Sequence, residues 1–444
     1  MRPWLVATLA FAMVLVSGLR PDAPRAAEGT AEVEVVTTPL GLTAYLIRSA
    51  AVPFLSMSIE FKGGSALDPE GKAGLANMVS GLLDEGAGDL DSQAFRAELE
   101  DRAIRLSFDA GKDGFSGSLK TLTRERERAF ELLQLAVTAP RFDVEPVERI
   151  RSQILTGLTR REEDPQYIAG RTWFERAFAG HPYASPGQGT PDSVTAIATD
   201  DLRRFVGERL ARDNLVIGVA GDITADELAP LLDETFGALP AHATPWDVPE
   251  TEPDAAGIVV ERKAVPQSAV VFGQAGLARK DPDYYAAYTA NYILGGGGFS
   301  SRLTEEVREK RGLAYSIYSQ LEPLDHAPIW VGGVGTANAS VGQAIELIRT
   351  EVGRMAEGQI SQEDLDDAKT YLIGSFPLRL TSNDQIARTL AGMQLAELGP
   401  DYLVERNGLI EAVTLDDLKR AAARIYDPHR LLFVVAGEPD GLQG

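Results

Sequence analysis

Ala51-Val52-Pro53-Phe54-Leu55-Ser56-Met57-Ser58-Ile59-Glu60-Phe61 sets apolar Leu55, Met57, Ile59 and Phe61 against polar Ser56, Ser58 and Glu60. A period of two reads as a half-buried strand. Asp68-Pro69 follows, and the same frame recurs 213 residues later as Ala264-Val265-Pro266 before Asp281-Pro282 (264 − 51 and 281 − 68). Asp200-Asp201-Leu202 before Val219-Ala220-Gly221-Asp222 has its own echo. That echo is Asp416-Asp417-Leu418 before Val435-Ala436-Gly437-Glu438, offset by 216 (416 − 200 and 435 − 219). Separated matches at nearly one offset read as a duplication.

Each copy predicts the same order of elements. An alternating strand opens it, Leu55 to Phe61 or Ala269 to Phe272. A helix follows, Gly74 to Asp84 or Tyr284 to Leu294, and each half is expected to close on a helix and an apolar strand, Leu215 to Ala220 or Leu431 to Ala436. Strands mixed with long helices indicate an α+β chain of two homologous halves, each with mainly antiparallel sheets and helices packed on one face. The expected parts are residues 28–239, a proline-bearing linker at 240–257 with Pro245, Pro249 and Pro253, and residues 258–444.

The chain has 444 residues, more than one core ordinarily serves. A net charge of −22 with no long Lys/Arg block excludes nucleic acid as a partner. Solubility accounts for that charge, and so does attraction of basic peptides. Met1-Arg2, the apolar run Trp4 to Val16, and small residues at Ala23, Ala26 and Ala27 predict a secretory signal, residues 1–27. An uncleaved anchor is the alternative. No cysteine is present, so there is neither a disulfide nor a lipoprotein attachment site, and no later segment is apolar enough to span a bilayer.

The segment Gly71-Lys72-Ala73-Gly74-Leu75-Ala76-Asn77-Met78-Val79-Ser80-Gly81-Leu82-Leu83-Asp84-Glu85-Gly86 resembles the first helix of the insulinase/pitrilysin family. Active members carry an inverted zinc motif there, H-x-x-E-H. Its two histidines share a helix face and bind zinc, and its glutamate is the general base. The flanking residues place Asn77, Ser80 and Gly81 at these three positions. The resemblance puts a third ligand, a glutamate, at Thr156 or Gly157, and neither is a carboxylate. Only His181, His242, His326 and His429 occur, no two at a helix-face spacing, so no zinc or other cofactor is expected in this chain. His181 lies in a Gly180-His181-Pro182-Tyr183 loop typical of the family and is expected to be structural. The repeat pairs Asn77 with Asn291, so the first half resembles the second, which in this family is the non-catalytic one.

The stretch Gly295-Gly296-Gly297-Gly298-Phe299-Ser300-Ser301-Arg302-Leu303-Thr304-Glu305-Glu306-Val307-Arg308-Glu309-Lys310-Arg311-Gly312-Leu313-Ala314-Tyr315 is the second signal. Four glycines predict an open, flexible loop. No Gly-Lys-Ser/Thr follows, so it is no phosphate loop. Gly312 can end the helix, and Leu313, Tyr315 and Ile317 then alternate along a strand. The stretch resembles the family's substrate-binding signature, an Arg and a Tyr seven positions apart, here Arg308 and Tyr315. Arg311 and Tyr318 have the same spacing, and the flanking Gly312-Leu313-Ala314 favours the first pair. A guanidinium suits a peptide carbonyl or carboxylate, and a tyrosine hydroxyl can donate to a developing oxyanion.

The resemblance, from about Glu34 to Gly437, implies an open clam shell. It also implies a periplasmic subunit without its own catalytic residues, paired with a homologous subunit that carries the zinc motif and the zinc. Arg308 and Tyr315 would complete the active site around a peptide. A peptide-binding or structural scaffold is the alternative, and an independent enzyme of unusual chemistry is a third reading.

Overall fold

The alternation at Leu55 becomes a strand, Phe54–Lys62, that buries Leu55, Met57, Ile59 and Phe61. The computed structural model describes residues 32–442, so the predicted secretory signal lies outside the described residues. The first sheet contains β1 (Glu34–Thr37), β2 (Thr43–Arg48), β3 (Phe54–Lys62), β4 (Arg105–Ala110), β5 (Gly114–Leu122) and β6 (Leu215–Gly221), in the order β1-β2-β6-β3-β5-β4. The second contains β7 (Gly257–Arg262), β8 (Gln267–Ala275), β9 (Ala314–Glu322), β10 (Ile329–Ala337) and β11 (Leu432–Gly437), in the order β7-β11-β8-β10-β9. Each has one parallel pair, β2 with β6 and β7 with β11; all other pairs are antiparallel. The α+β duplication is therefore present, and β3 and β8 begin 213 residues apart (267 − 54). None of the described helices is long and apolar enough to cross a membrane.

The repeated motifs have local causes. Asp68 accepts hydrogen bonds from the backbone N–H of Gly74 (2.8 Å) and Ala76 (3.0 Å), at the start of helix Leu75–Ser80. Asp281 accepts from the N–H of Asp283 (2.8 Å) and from Arg424 (2.9 and 3.0 Å). Asp201 and Asp417 each reach back three residues to a backbone N–H, at Ala198 (2.8 Å) and Thr414 (3.0 Å), satisfying orphan donors at a helix start.

Several boundaries differ from the sequence reading. The first helix stops at Ser80, with Gly81 as its C-cap, rather than at Asp84. Glycine holds a helix poorly, and the chain turns to place Glu85 against Arg149 (2.7 Å), Ser92 (2.5 Å) and Arg96. Its counterpart is α-helical over Tyr284–Asn291 and widens to a π-turn at Tyr292–Gly296. The first half does not close on β6, because Thr224 and Glu227 form a reciprocal cap that starts helix Ala225–Phe236. The stretch at 240–256 holds no helix or strand, yet it is tied down by backbone bonds. Thr244 donates to Glu208 (2.8 Å), Thr251 to His326 (2.9 Å) and Asp254 to Ala177 (3.0 Å).

The two halves exchange helices. Helix Pro165–Ala177 of the first half lies on β8 and β11 of the second sheet, where Trp173 is fully buried among Val271, Leu432 and Val434. Its indole N–H donates to the Leu432 carbonyl at 3.3 Å. Reciprocally, helix Asn383–Leu395 lies on β6, β3 and β2. Gly218 of β6 permits that approach: a Cβ there would meet the Ala387 carbonyl oxygen at 2.1 Å and the Ala391 nitrogen at 2.6 Å. Each sheet thus has its own helices on one face and the other half's helix on the opposite face.

The halves also meet at two loops. Asp113, in the β4–β5 turn, accepts from the Tyr183 hydroxyl (2.5 Å) and from the Asp325 N–H (3.0 Å) in the β9–β10 loop. His326 N–H donates to the Tyr183 hydroxyl oxygen at 3.1 Å. His181 accepts from the Tyr183 N–H at Nδ1 (3.1 Å), and its Nε2 lies 2.9 Å from the Pro249 carbonyl, a structural role as expected. Burial, followed by the Asp325 and Asp113 carboxylates, pushes nearby Glu60 up to about 7.

This packing makes two glycines behave in opposite ways. Gly218→Ala should destabilise the chain by about 1–3 kcal/mol through overpacking. Gly207→Ala, in a helix with nothing within 4 Å of the added carbon, should stabilise it by about 0.5–1 kcal/mol; chemical denaturation of both checks the contrast. The raised Glu60 favours the protonated folded state. Its cost is complete above pH 7 and is relieved as pH falls from 7 towards about 4.3, the ordinary glutamate value. Glu60→Gln should therefore raise the melting temperature at pH 8 and flatten its rise between pH 8 and 5.

Candidate substrate-binding site and the Asn77 cleft

The glycine run is more tightly packed than its composition predicts. A Cβ at Gly295 would meet Ser319 Oγ at 2.3 Å, and one at Gly296 would meet Asn291 Nδ2 at 2.7 Å. Only Gly298, at φ +58°, is open around its Cβ position. The loop is therefore seated against β9 and the preceding helix. It lies between two π-turns, Tyr292–Gly296 and Thr304–Glu309, a form that recurs at functional sites.

Arg308 stands on the last turn of Thr304–Glu309. Gly312, at φ +63°, reverses the chain, with its N–H donating to the Arg308 carbonyl (2.8 Å) and the Leu313 N–H to that of Val307 (2.9 Å). Tyr315 then falls at a β-bulge. Ser316 pairs with Gly335 and Ala314 with Thr336, which leaves Tyr315 unpaired. A bulge re-aims a side chain. The Tyr315 ring is 85% exposed, and its centroid lies 5.4 Å from Arg308 Cζ. Phe299, which sequence reading did not single out, lies on the same guanidinium at 4.6 Å. Among the described residues Arg308 forms one ion pair, with Glu309, whose nearest approach is from Nε at 3.3 Å.

The competing pair is not assembled in this way. Arg311 Nη1 is bound to the Glu306 carboxylate (2.6 Å) and the Glu306 carbonyl (2.7 Å). Tyr318 is paired in register with Gly333 on the regular part of β9. Arg308 and Tyr315 are brought together; Arg311 is already occupied.

Asn77, Ser80 and Gly81 do converge, in a cleft of about 310 Å³ lined also by Gln153, Gly157, Arg161 and Gln188. Gly157 therefore faces the cleft. Thr156 is not among the lining residues, and its hydroxyl donates to the Ser152 carbonyl at 2.8 Å. The donors do not suit zinc: Ser80 donates to the Asn77 carbonyl at 2.9 Å, and positions 81 and 157 carry no side chain. Among the described residues no group of three His, Cys, Asp or Glu could hold a metal ion. In the second half the repeat-related Asn291 is buried, with Ser319 Oγ and Trp330 Nε1 donating to its Oδ1 (both 2.8 Å). One copy of the motif is packed core, and the other lines an open cleft.

Metal analysis of the purified protein should find zinc well below one equivalent per chain, and chelator should leave the thermal midpoint unchanged. One tightly held zinc per chain would contradict the geometry of this cleft.

A family model described as "Peptidase M16 inactive domain" matches residues 196–372. The "Non-peptidase homolog YmxG" of Helicobacter pylori is 31% identical over 333 residues, covering 74% of this chain and 76% of that protein. The crystal structure of a peptidase M16 inactive domain from Pseudomonas fluorescens superposes with a TM-score of 0.87 at 28% identity, covering 93% of this chain and 99% of that one. A chain of complex III2 from Candida albicans has the same fold, with a TM-score of 0.79 at 18% identity, covering 93% of this chain and 97% of that one. By these matches the chain belongs to the peptidase M16 family, also called the insulinase/pitrilysin family, as an inactive member.

Proposed function

We propose that this protein is the non-catalytic subunit of a periplasmic zinc peptidase, binding peptide and completing the active site of a homologous partner that carries H-x-x-E-H. The observation that carries this reading is the convergence of Arg308 and Tyr315 at an exposed position, reached from a helix end, a glycine turn and a β-bulge. A structural role explains a buried tyrosine better than one that is 85% exposed. The Arg308 Nη groups suit a peptide carbonyl or carboxylate, and the Tyr315 hydroxyl suits an oxygen that gains charge as water attacks. The zinc-bound water has to come from the partner, because Asn77, Ser80 and Gly81 offer no ligand set. The net charge of −22 favours basic peptides, and the leader-like residues 1–27 support export.

The test is reconstitution with the zinc-motif subunit, reading hydrolysis of a quenched fluorescent peptide. Wild type should create activity that neither chain shows alone. Arg308→Ala and Tyr315→Phe should each lower it by about 10²-fold, the scale of losing one oxyanion donor, without loss of assembly. If both variants activate as well as wild type, the site assignment fails. Stable assembly with no gain in hydrolysis would instead establish the scaffold reading.

A further inference from the structure

We infer that Phe299 is a positioning residue that steadies the Arg308 guanidinium for a peptide oxygen; this rests on the reading of Arg308 as a substrate-binding group. Phe299 sits at the tip of the glycine loop and is 72% exposed, among the most water-exposed large apolar side chains described. The loop conformation puts it there. Gly298 takes φ +58°, the Ser300 N–H donates to the Gly297 carbonyl at 3.2 Å, and the Ser301 N–H donates to the Gly298 carbonyl at 3.1 Å. Ser301 is itself fixed, its hydroxyl donating to the Gly298 carbonyl at 2.8 Å and lying 2.9 Å from the Thr304 hydroxyl.

A single exposed phenylalanine needs no explanation in general. This one lies 4.6 Å from Arg308 Cζ, closer than Tyr315 at 5.4 Å. The neighbouring Arg302 is spoken for by Asp364 at 2.9 Å. Arg308 has one weak tie, Nε to Glu309 at 3.3 Å, and its long side chain would otherwise sample many rotamers. Aromatic faces attract a guanidinium without using its N–H groups, so the rings restrict the side chain and leave the Nη groups free to donate. The packed glycine loop thereby acquires a reason for its shape, since it carries a ring to the arginine. The ligand class is a peptide backbone carbonyl or carboxylate, met by an arginine already ordered before binding.

The clamp is tested first on the full-length protein alone, by NMR with labelled arginine. The Arg308 Nε–Hε resonance, identified by its absence in Arg308→Ala, should carry a ring-current shift. Phe299→Ala and Phe299→Leu should remove part of it, and Phe299→Tyr should keep it. A resonance unchanged in Phe299→Ala overturns the inference. In the reconstituted peptidase, Phe299→Ala and Phe299→Leu should raise KM about two- to fivefold, the scale of one exposed cation–π contact, with Phe299→Tyr restoring it. Phe299→Leu behaving as wild type in both assays shows that apolar bulk suffices and overturns the clamp. Arg308→Ala is run in parallel to separate the two failures. If it leaves hydrolysis unchanged, the reading of the site falls, whatever the resonance shows. If it abolishes activation while Phe299→Ala changes neither shift nor KM, only the clamp falls.

Discussion

The fold depends on reciprocal burial of helices between the halves. A sheet with helices on one face only leaves its other face to water. Here β11 is buried on every residue from Leu432 to Gly437, with Phe433 and Val435 facing the second half's own core and Leu432, Val434 and Ala436 facing helix Pro165–Ala177. Trp173 anchors that contact, and Gly218 makes room for its counterpart on the first sheet. Burial of several large apolar side chains at each contact contributes several kcal/mol, so neither sheet is a complete domain without the other half. The pinned segment at 240–256 and the Asp113–Tyr183–His326 loop contacts add polar bonds to the same junction.

A rigid second sheet is what allows Arg308 and Tyr315 to be placed at all. Arg308 comes from a π-turn and Tyr315 from a bulged residue, both irregular positions that isolated chain would not hold. They are held because Val307 and Ile317 beside them are buried in the second core and Thr336 donates its hydroxyl to the Leu313 carbonyl. The proposed site is thus built from local departures from regular structure that a regular sheet supports. The strand leading into the site is fixed, with Tyr315 exposed and Arg308 half-buried at its mouth.

Much of this is legible in the sequence, for identifiable reasons. A duplication shows in offsets, alternation shows strands, and Asp68 and Asp281 recur because each must satisfy backbone N–H groups at one place in the fold. Gly312 announces its turn because only glycine takes φ +63° without strain. The Thr224–Glu227 cap is equally local, a threonine followed three residues later by a glutamate, and it marks the helix that extends the first half past β6. Other features are not legible. Which sheet a helix covers is a long-range matter that its own residues do not state, so the exchange of helices is invisible in the chain. The glycine run reads as slack because composition does not report that Ser319 and Asn291 fill the space a Cβ would need. The bulge at Tyr315 depends on pairing with β10, and the role of Phe299 depends on a loop reaching back over a helix end.

The two copies of the duplicated motif differ in opposite directions, and the contrast bears on the proposed site. At Asn291 the space beside the helix is filled by Trp330 and Ser319, and the asparagine has become a hydrogen-bonded core residue. At Asn77 the space is still a cleft, with Gly157 leaving it open. Packing alone favours filling such a cleft, because close apolar packing there adds dispersion energy and removes surface from water. Zinc chemistry needs histidines and carboxylates that do not line this cleft. The Arg308–Tyr315 cluster has the opposite character: its exposed aromatics contribute little to stability, and Arg308 has a single ion pair among the described residues, with Glu309. An arrangement that serves neither packing nor metal binding, yet is set up by a glycine turn, a bulge and two π-turns, is what the proposed peptide binding would use.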